Sequence, residues 1–350
     1  MMLNLILNTK LGRWLMLVVV ATATSIATST LTYAQSKPEL VVYTYDSFSA
    51  EWGAGPLIKA GFEAECDCTL SFVGLDTSLG VLGRVRLEGA SSKADVVLGL
   101  DTAQAGTARA TGLFTDHGLG DVNDRLTLPE ATGVWQDEVF VPFDWGYFAF
   151  VYDKDRLRNP PQSMAELVDG DHPITIAIQD ARTSTPGFGL LLWLKAIYGD
   201  EMASALTKLD EKITTITKGW SEAYGLFLDG EVDMVLSYTT SPSYHRLAED
   251  EQNYDYASFS EGHYMQIEIA GILKSSTQPI LAREFLAYLL SPEAQAMLPQ
   301  SQWMYPVGDV VLPQGFQTKP QPKPLLLADE EVADKQKQWL DEWVAGLTAN

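Results

Sequence analysis

The chain has 350 residues, 46 acidic against 24 basic, and a formal net charge of −22. An excess of that size excludes partners that are themselves polyanions, nucleic acid and anionic membrane surfaces among them. Hydrophobic residues at 46% and charged residues at 20% are the fractions of a globular protein, and the length is enough to bury two cores.

Residues 1–34 carry Lys10 and Arg13, an apolar run from Trp14 to about Ala21, and small residues ending Thr32-Tyr33-Ala34. This is the pattern of a secretory signal peptide cleaved near Ala34. The run is too short and too Thr-rich for a membrane span, and no Cys follows the cleavage region to carry a lipid. Cleavage removes two positive charges and no negative one. The mature protein is expected to be soluble and exported.

Glu39–Tyr45 reads as a first strand and Ala54–Ala64 as a first helix. Cys68–Val73, Leu79–Glu88 and Ala94–Leu100 continue as strand, helix and strand, an alternation that predicts βαβ units and a mostly parallel sheet. The only cysteines, Cys66 and Cys68, stand between the first helix and the second strand. Two thiols cannot complete a four-ligand zinc site. Residues two apart on an extended strand lie too far apart for easy bridging, so a disulfide needs a turn there. An oxidising compartment favours that small-loop disulfide over free thiols, and a catalytic cysteine is the least supported reading.

Glu138–Tyr152 is nearly continuous aromatic and β-branched sequence, broken by Pro142 and Gly146, and long enough to leave one domain and enter another. Ile174–Ile178 is a short strand, and after Gln179 to Ser184 the run Thr185-Pro186-Gly187 opens an apolar helix to about Tyr198. The same order recurs in Val232–Tyr238, a buried strand, followed by Ser241-Pro242 as N-cap and first helical residue. Where a strand end meets a helix start, free N–H groups and the positive end of the helix dipole converge on an anion. Ser/Thr-Pro also starts helices that bind nothing. Two such junctions, with Trp220 close in sequence, carry the ligand-binding reading.

His263–Leu273 reads as a second crossing, Gln278–Leu290 as an amphipathic helix, Ser291-Pro292-Glu293 as the cap of another, and Asp329–Leu347 as a closing amphipathic helix. Two lobes joined by two crossings imply a cleft and a hinge. The expected division is residues 35–141 in lobe 1, 142–267 in lobe 2, and 268–350 returning to lobe 1 and ending in the C-terminal helix.

Several long motifs carry a resemblance. Tyr43-Thr44-Tyr45-Asp46-Ser47-Phe48, Trp52-Gly53-Ala54-Gly55-Pro56, Ser92 to Asp101 and Thr183 to Gly187 are among them. Lys218 to Gly225, Ser237 to Pro242 and Trp303-Met304-Tyr305-Pro306-Val307 extend it over essentially the whole mature chain. Together they resemble the periplasmic thiamine-binding receptors. The resemblance implies an α/β, two-lobed type II periplasmic-binding-protein fold with the ligand cleft between lobes and the two crossing segments as hinge. It also implies a monomeric solute receptor of an ABC importer, taking thiamine and its mono- and diphosphate, with no catalysis and no cofactor.

Ser184 and Thr185 match a Ser-Thr pair of the family's site, Trp220 its tryptophan, and Tyr238-Thr239-Thr240-Ser241 its Tyr-Thr-Thr-Ser run. Where the family has Asp-Gly, this chain has Thr77-Ser78, so side-chain contacts there depart from the pattern. Thiamine joins a flat pyrimidine, a cationic thiazolium and a hydroxyethyl arm that can carry phosphate. Aromatic faces suit the rings, with Trp220 and Tyr238 first and Tyr45, Trp52 and Tyr244 behind them. The hydroxyls of Ser184, Thr185, Thr239, Thr240 and Ser241, with the amides at the two helix starts, suit the phosphate end. Neutral donors accept ester and free alcohol alike, which a rigid arginine fork does not. Asp46 and Asp144, at the expected lobe edges, are candidates to hold the aminopyrimidine or balance the thiazolium.

Two other readings compete. A ferric receptor of the same fold calls for hard oxygen and imidazole ligands, but the chain has no adjacent tyrosines, and His117, His172, His245 and His263 have no metal spacing. A thiaminase-like enzyme calls for a Cys nucleophile. Both cysteines precede a strand, at the end of the sheet away from the expected cleft, and the chain has no Gly-x-Ser-x-Gly elbow.

Overall fold

In the computed structural model, which describes residues 37–349, the β-branched run Glu39–Tyr45 forms strand β1. The expected signal peptide lies outside the described residues. Helices α1 (Asp46–Ser49) and α2 (Gly55–Glu65) follow, the second with Pro56 in its first turn, where a missing N–H costs nothing. β2 (Thr69–Leu75) and β3 (Val96–Asp101) then flank β1 in parallel, with α3 (Ser78–Glu88) between them in sequence. Cys66 and Cys68 are joined in a disulfide, Cα atoms 5.2 Å apart, in the turn between α2 and β2. Of the two readings left open for these thiols, the bonded one is observed.

After α4 (Thr102–Ala110) and the two-residue strand β4 (Phe114–Thr115), the chain enters β5 (Phe140–Asp153). Thirteen of its 14 residues are buried. Its first half pairs antiparallel with β10 (His263–Leu273), and its second half pairs with β8 (Met234–Tyr238) and β9 (Tyr254–Tyr256). Between β5 and β8 come α5 (Met164–Asp169), β6 (Ile176–Gln179), α6 (Thr185–Tyr198), α7 (Met202–Asp210), β7 (Ile213–Thr217) and α8 (Trp220–Leu228). The order across the sheet is β2-β1-β3-β10-β5-β8-β6-β7. Two parallel groups of three strands are thus joined through an antiparallel central pair, the expected crossings. This is the two-lobed α/β architecture expected from the sequence.

The strand pair feeds both cores. Val141, Phe143, Trp145, Ile267 and Ile272 pack with Leu40, Val42, Phe48 and Phe285, whereas Phe148, Phe150 and Tyr264 pack with Phe188, Leu191, Trp193 and Leu236. α9 (Ser241–Ala248) leaves β8, and α10 (Pro279–Leu289), α11 (Pro292–Ser301), β11 (Tyr305–Pro306) and β12 (Pro324–Leu325) lead to α12 (Asp329–Leu347). α12 seats Trp339 and Trp343 against α7 and α4. One boundary moves by a residue: Thr240 is the N-cap of α9 and Ser241 its first residue, because the Ser241 hydroxyl already accepts from the Tyr238 N–H.

Candidate functional site

The two parallel groups run in opposite senses, so the C-terminal ends of their strands point toward one another across the antiparallel central pair. β1 ends at Tyr45, β2 runs into Asp76-Thr77, and β8 ends at Tyr238. The helices that follow begin there: Ser78 opens α3, Thr185 opens α6, Trp220 opens α8 and Ser241 opens α9. All four first residues line one cavity of about 490 Å³, so four sets of free N–H groups and four positive dipole ends face it.

Eleven of the fourteen candidate residues line that cavity: Tyr45, Asp46, Trp52, Thr77, Ser78, Ser184, Thr185, Trp220, Tyr238, Ser241 and Tyr244. Asp46 and Trp52 sit exposed at its rim. Thr77 caps α3 by accepting from the Gly80 N–H at 3.1 Å, as its departure from the family pattern still allows. Three candidates do not line it. Thr239 gives its N–H to the Tyr147 carbonyl, which turns the side chain into the interior, and Thr240 is buried as the cap of α9. Asp144 is wholly buried in the middle of β5 rather than at a lobe edge, beside the cavity floor, with both carboxyl oxygens unpartnered.

The aromatic wall is held in place by hydrogen bonds. The Trp220 indole stacks on Tyr224, centroids 4.8 Å apart at 25°, and its Nε1–H donates to Ser237 Oγ at 2.7 Å. Ser237 is fully buried, so its own proton goes to Ser241 Oγ at 2.7 Å. Ser241 Oγ also accepts from the Tyr238 N–H at 3.2 Å, leaving the Ser241 proton for a ligand. Tyr45 lies beside Gly99, whose φ of 92° suits glycine and whose absent Cβ would strike the Tyr45 ring.

The floor is acidic and contains no cation. Glu268 on β10 lines the cavity, accepts from the Tyr45 hydroxyl at 2.7 Å and from Gln266 Nε2 at 2.9 Å, and stands opposite Asp144 in the β5–β10 register. Burial pushes Glu268 up to about 8 and raises Asp144 well above the carboxylate range, with Glu268 as its second cause. Burial, then Glu268, also raises Tyr45 and Tyr238, whose hydroxyls donate to Glu268 and Gln266. No Lys or Arg lines the cavity: Lys218 is paired with Asp76 across its edge, and Arg182 with Asp180 at 2.5 Å. The two walls also meet where Ser78 Oγ hydrogen-bonds Thr185 Oγ1, which takes a second bond from buried Gln104 at 3.2 Å.

Sequence reasoning missed Glu268, Gln302, Trp303 and Met304. Trp303 follows α11 with φ of 59°, a left-handed conformation usually taken by glycine at a helix end, and its ring meets Tyr244 edge-on at 5.3 Å. The motif Trp303 to Val307 was the available signal, but it did not show that the turn points inward. Among the described residues no group of three His, Cys, Asp or Glu is arranged to hold a metal ion, and no helix is long and apolar enough to cross a membrane. The disulfide lies at the N-terminal end of β2, away from the cavity.

Residues 58–323 match the family model described as bacterial extracellular solute-binding protein. The thiamine-binding periplasmic protein of Escherichia coli (strain K12) is 52% identical over 309 residues, covering 88% of this chain and 93% of that one. A solved structure of a periplasmic thiamin binding protein superposes with a TM-score of 0.86 at 52% identity, covering 89% of this chain and 97% of that one. Iron-bound HitA from Pseudomonas aeruginosa superposes with a TM-score of 0.71 over 87% of this chain and 99% of that one; at 20% identity the likeness is one of fold alone. With strand ends and helix starts converging on one cavity between two lobes, the chain belongs to the bacterial extracellular solute-binding family, as a solute receptor related to the thiamine-binding periplasmic proteins.

Proposed function

We propose that this protein is the periplasmic receptor that binds thiamine, thiamine monophosphate and thiamine diphosphate and delivers them to the permease of an ABC importer, without catalysis. The observation that carries the reading is one cavity combining an aromatic wall, a carboxyl floor without a cation, and four helix N-termini with hydroxyls but no Lys or Arg. A ligand complementary to all three has flat rings, a fixed positive charge and a variable phosphate arm. Trp220, Tyr238 and Tyr45 take the rings, Glu268 faces the cation, and Ser184, Thr185, Ser241, Ser78 and the adjoining amides take the hydroxyl or phosphate. The names of the close relatives point to the same ligand.

Closure moves the lobe of residues 142–267 against the lobe of 35–141 and 268–350 about β5 and β10, and the permease reads the closed form. A ferric reading is disfavoured because the Tyr45 and Tyr238 phenols donate to buried acceptors and resist ionisation, whereas iron takes phenolate. Calorimetric titration of refolded residues 35–350, stripped of carried-over ligand, with thiamine and its two phosphates tests the proposal. One-to-one submicromolar binding is expected; no binding to any of the three refutes it.

A further inference from the structure

The Glu268–Asp144 pair is an unusual construction. The two residues face each other across β10 and β5 at the floor of the cavity, in the layer where the sheet is buried on both sides. Asp144 has no exposed surface and no hydrogen-bond partner on either oxygen. Glu268 is 6% exposed and is reached only from the cavity. The groups bearing on the pair from neighbouring elements are Tyr45 on β1, Asp101 on β3 and Tyr238 on β8, with Gln266 on β10 itself. None is a cation. Two carboxylates side by side without a counter-ion in a water-poor site cannot both be ionised, so the ligand-free floor holds protons.

We propose that Glu268, backed by Asp144, is a proton-held countercharge: it is neutral in the empty receptor and ionises when a cationic ligand enters, releasing its proton to solvent, so that affinity for the cation rises with pH. The inference rests on the thiamine reading and adds proton linkage to it. The atoms balance simply. Glu268 loses H⁺ to the buffer, the carboxylate keeps its hydrogen bonds from Tyr45 and Gln266, and the ligand's fixed charge takes the proton's place. The net charge of the floor together with its occupant is therefore zero before and after binding, and Asp144 need not ionise. Such a site favours a permanent cation over a neutral ring of the same shape.

The Glu268 carboxyl, pushed up to about 8, sets the scale. One proton exchanged for one ligand makes the association constant rise about tenfold per pH unit below that value, so between pH 6 and 8 thiamine affinity is expected to rise at least tenfold. Titrating the wild-type protein with thiamine in two buffers of different ionisation enthalpy, at one pH near 6.5, counts the protons directly. Release of close to one proton per thiamine is expected. In Glu268→Gln, which keeps the shape of the protonated acid, the release and the pH slope disappear, and the affinity gap from wild type widens as pH rises. Thiamine binding by the wild type with no proton release and no pH slope overturns this inference while leaving the receptor reading intact. A slope and release that persist unchanged in Glu268→Gln also overturn it. Absence of thiamine binding at every pH is a different failure, of the receptor reading itself, and takes the inference with it.

Discussion

Replacing Trp220 with alanine tests the aromatic wall most directly. One indole face is covered by Tyr224 at 4.8 Å, so the face turned to the cavity is the one offered to a ligand. A stacked ring pair contributes about 0.5–1.5 kcal/mol beyond area, and a desolvated cation over an indole about 0.5–2 kcal/mol. Their sum, about 1–3.5 kcal/mol, corresponds to a dissociation constant for thiamine weaker by about 5- to 400-fold. Two further variants separate contact from aim. Trp220→Phe keeps a ring face and loses the bond to Ser237, and Ser237→Ala keeps the indole and loses its anchor; both are expected to cost less than the alanine variant. The assay is calorimetric titration at pH 8 with thermal melting as the fold control. A folded Trp220→Ala protein whose thiamine affinity lies within twofold of wild type refutes the assignment of Trp220 to the site.

Ser241→Ala is expected to weaken the diphosphate more than free thiamine, because Ser241 has one uncommitted hydroxyl proton at a helix start; equal losses for both in parallel titrations contradict a phosphate role. Replacing Cys66 and Cys68 together with serine opens a loop of three residues, for which chain entropy gives about 1.6 kcal/mol of stability. The disulfide lies a strand's length, roughly 20 Å, from the cavity, so thiamine affinity is expected to stay unchanged. An assay of thiazole release run on the same pair of proteins is expected to show no turnover in either, and Cys-dependent turnover would revive the enzyme reading. In the ligand-free protein, folded Glu268 keeps a proton that the unfolded chain releases near 4.5. The stability this provides is complete below that pH and is lost as pH climbs through about 8. The melting temperature is expected to fall over that range less steeply in Glu268→Gln than in wild type, and parallel slopes would show that Glu268 is not held neutral.

What was legible in the sequence follows the strength of local signals. Val232–Tyr238, Thr185–Tyr198 and His263–Leu273 are long apolar or β-branched runs with turn or cap residues at their ends, and the structure begins and ends them within two residues of the reading. β7 was missed because Ile213–Thr217 is an edge strand whose three threonines leave it without a continuous apolar run, and α4 because Thr102–Ala110 is built of small residues with little periodic contrast. The candidate residues that line the cavity divide along the same line. Those at strand ends and helix starts, such as Ser184, Thr185, Trp220 and Ser241, are announced by the local grammar that places them.

Glu268 is not announced in this way. In Gln266-Ile267-Glu268-Ile269 it reads as one acid in a buried strand, and only the register that sets β10 against β5 brings it opposite Asp144. The same register explains why Asp144, read as a lobe-edge ligand residue, lies beneath the floor: β5 is a central strand for its whole length and has no edge at that point. A carboxyl pair in such a strand costs stability in every state that lacks a cation, since burial of either charge is unfavourable and neither acid has a basic partner among the groups that face it. The cost falls on the empty receptor and is relieved in the loaded one. Binding and stability are thereby tied to the same two residues: a substitution that makes the floor apolar is expected to stabilise the empty protein and weaken its hold on a cation, and stabilisation without loss of affinity would mean that the acids serve neither purpose.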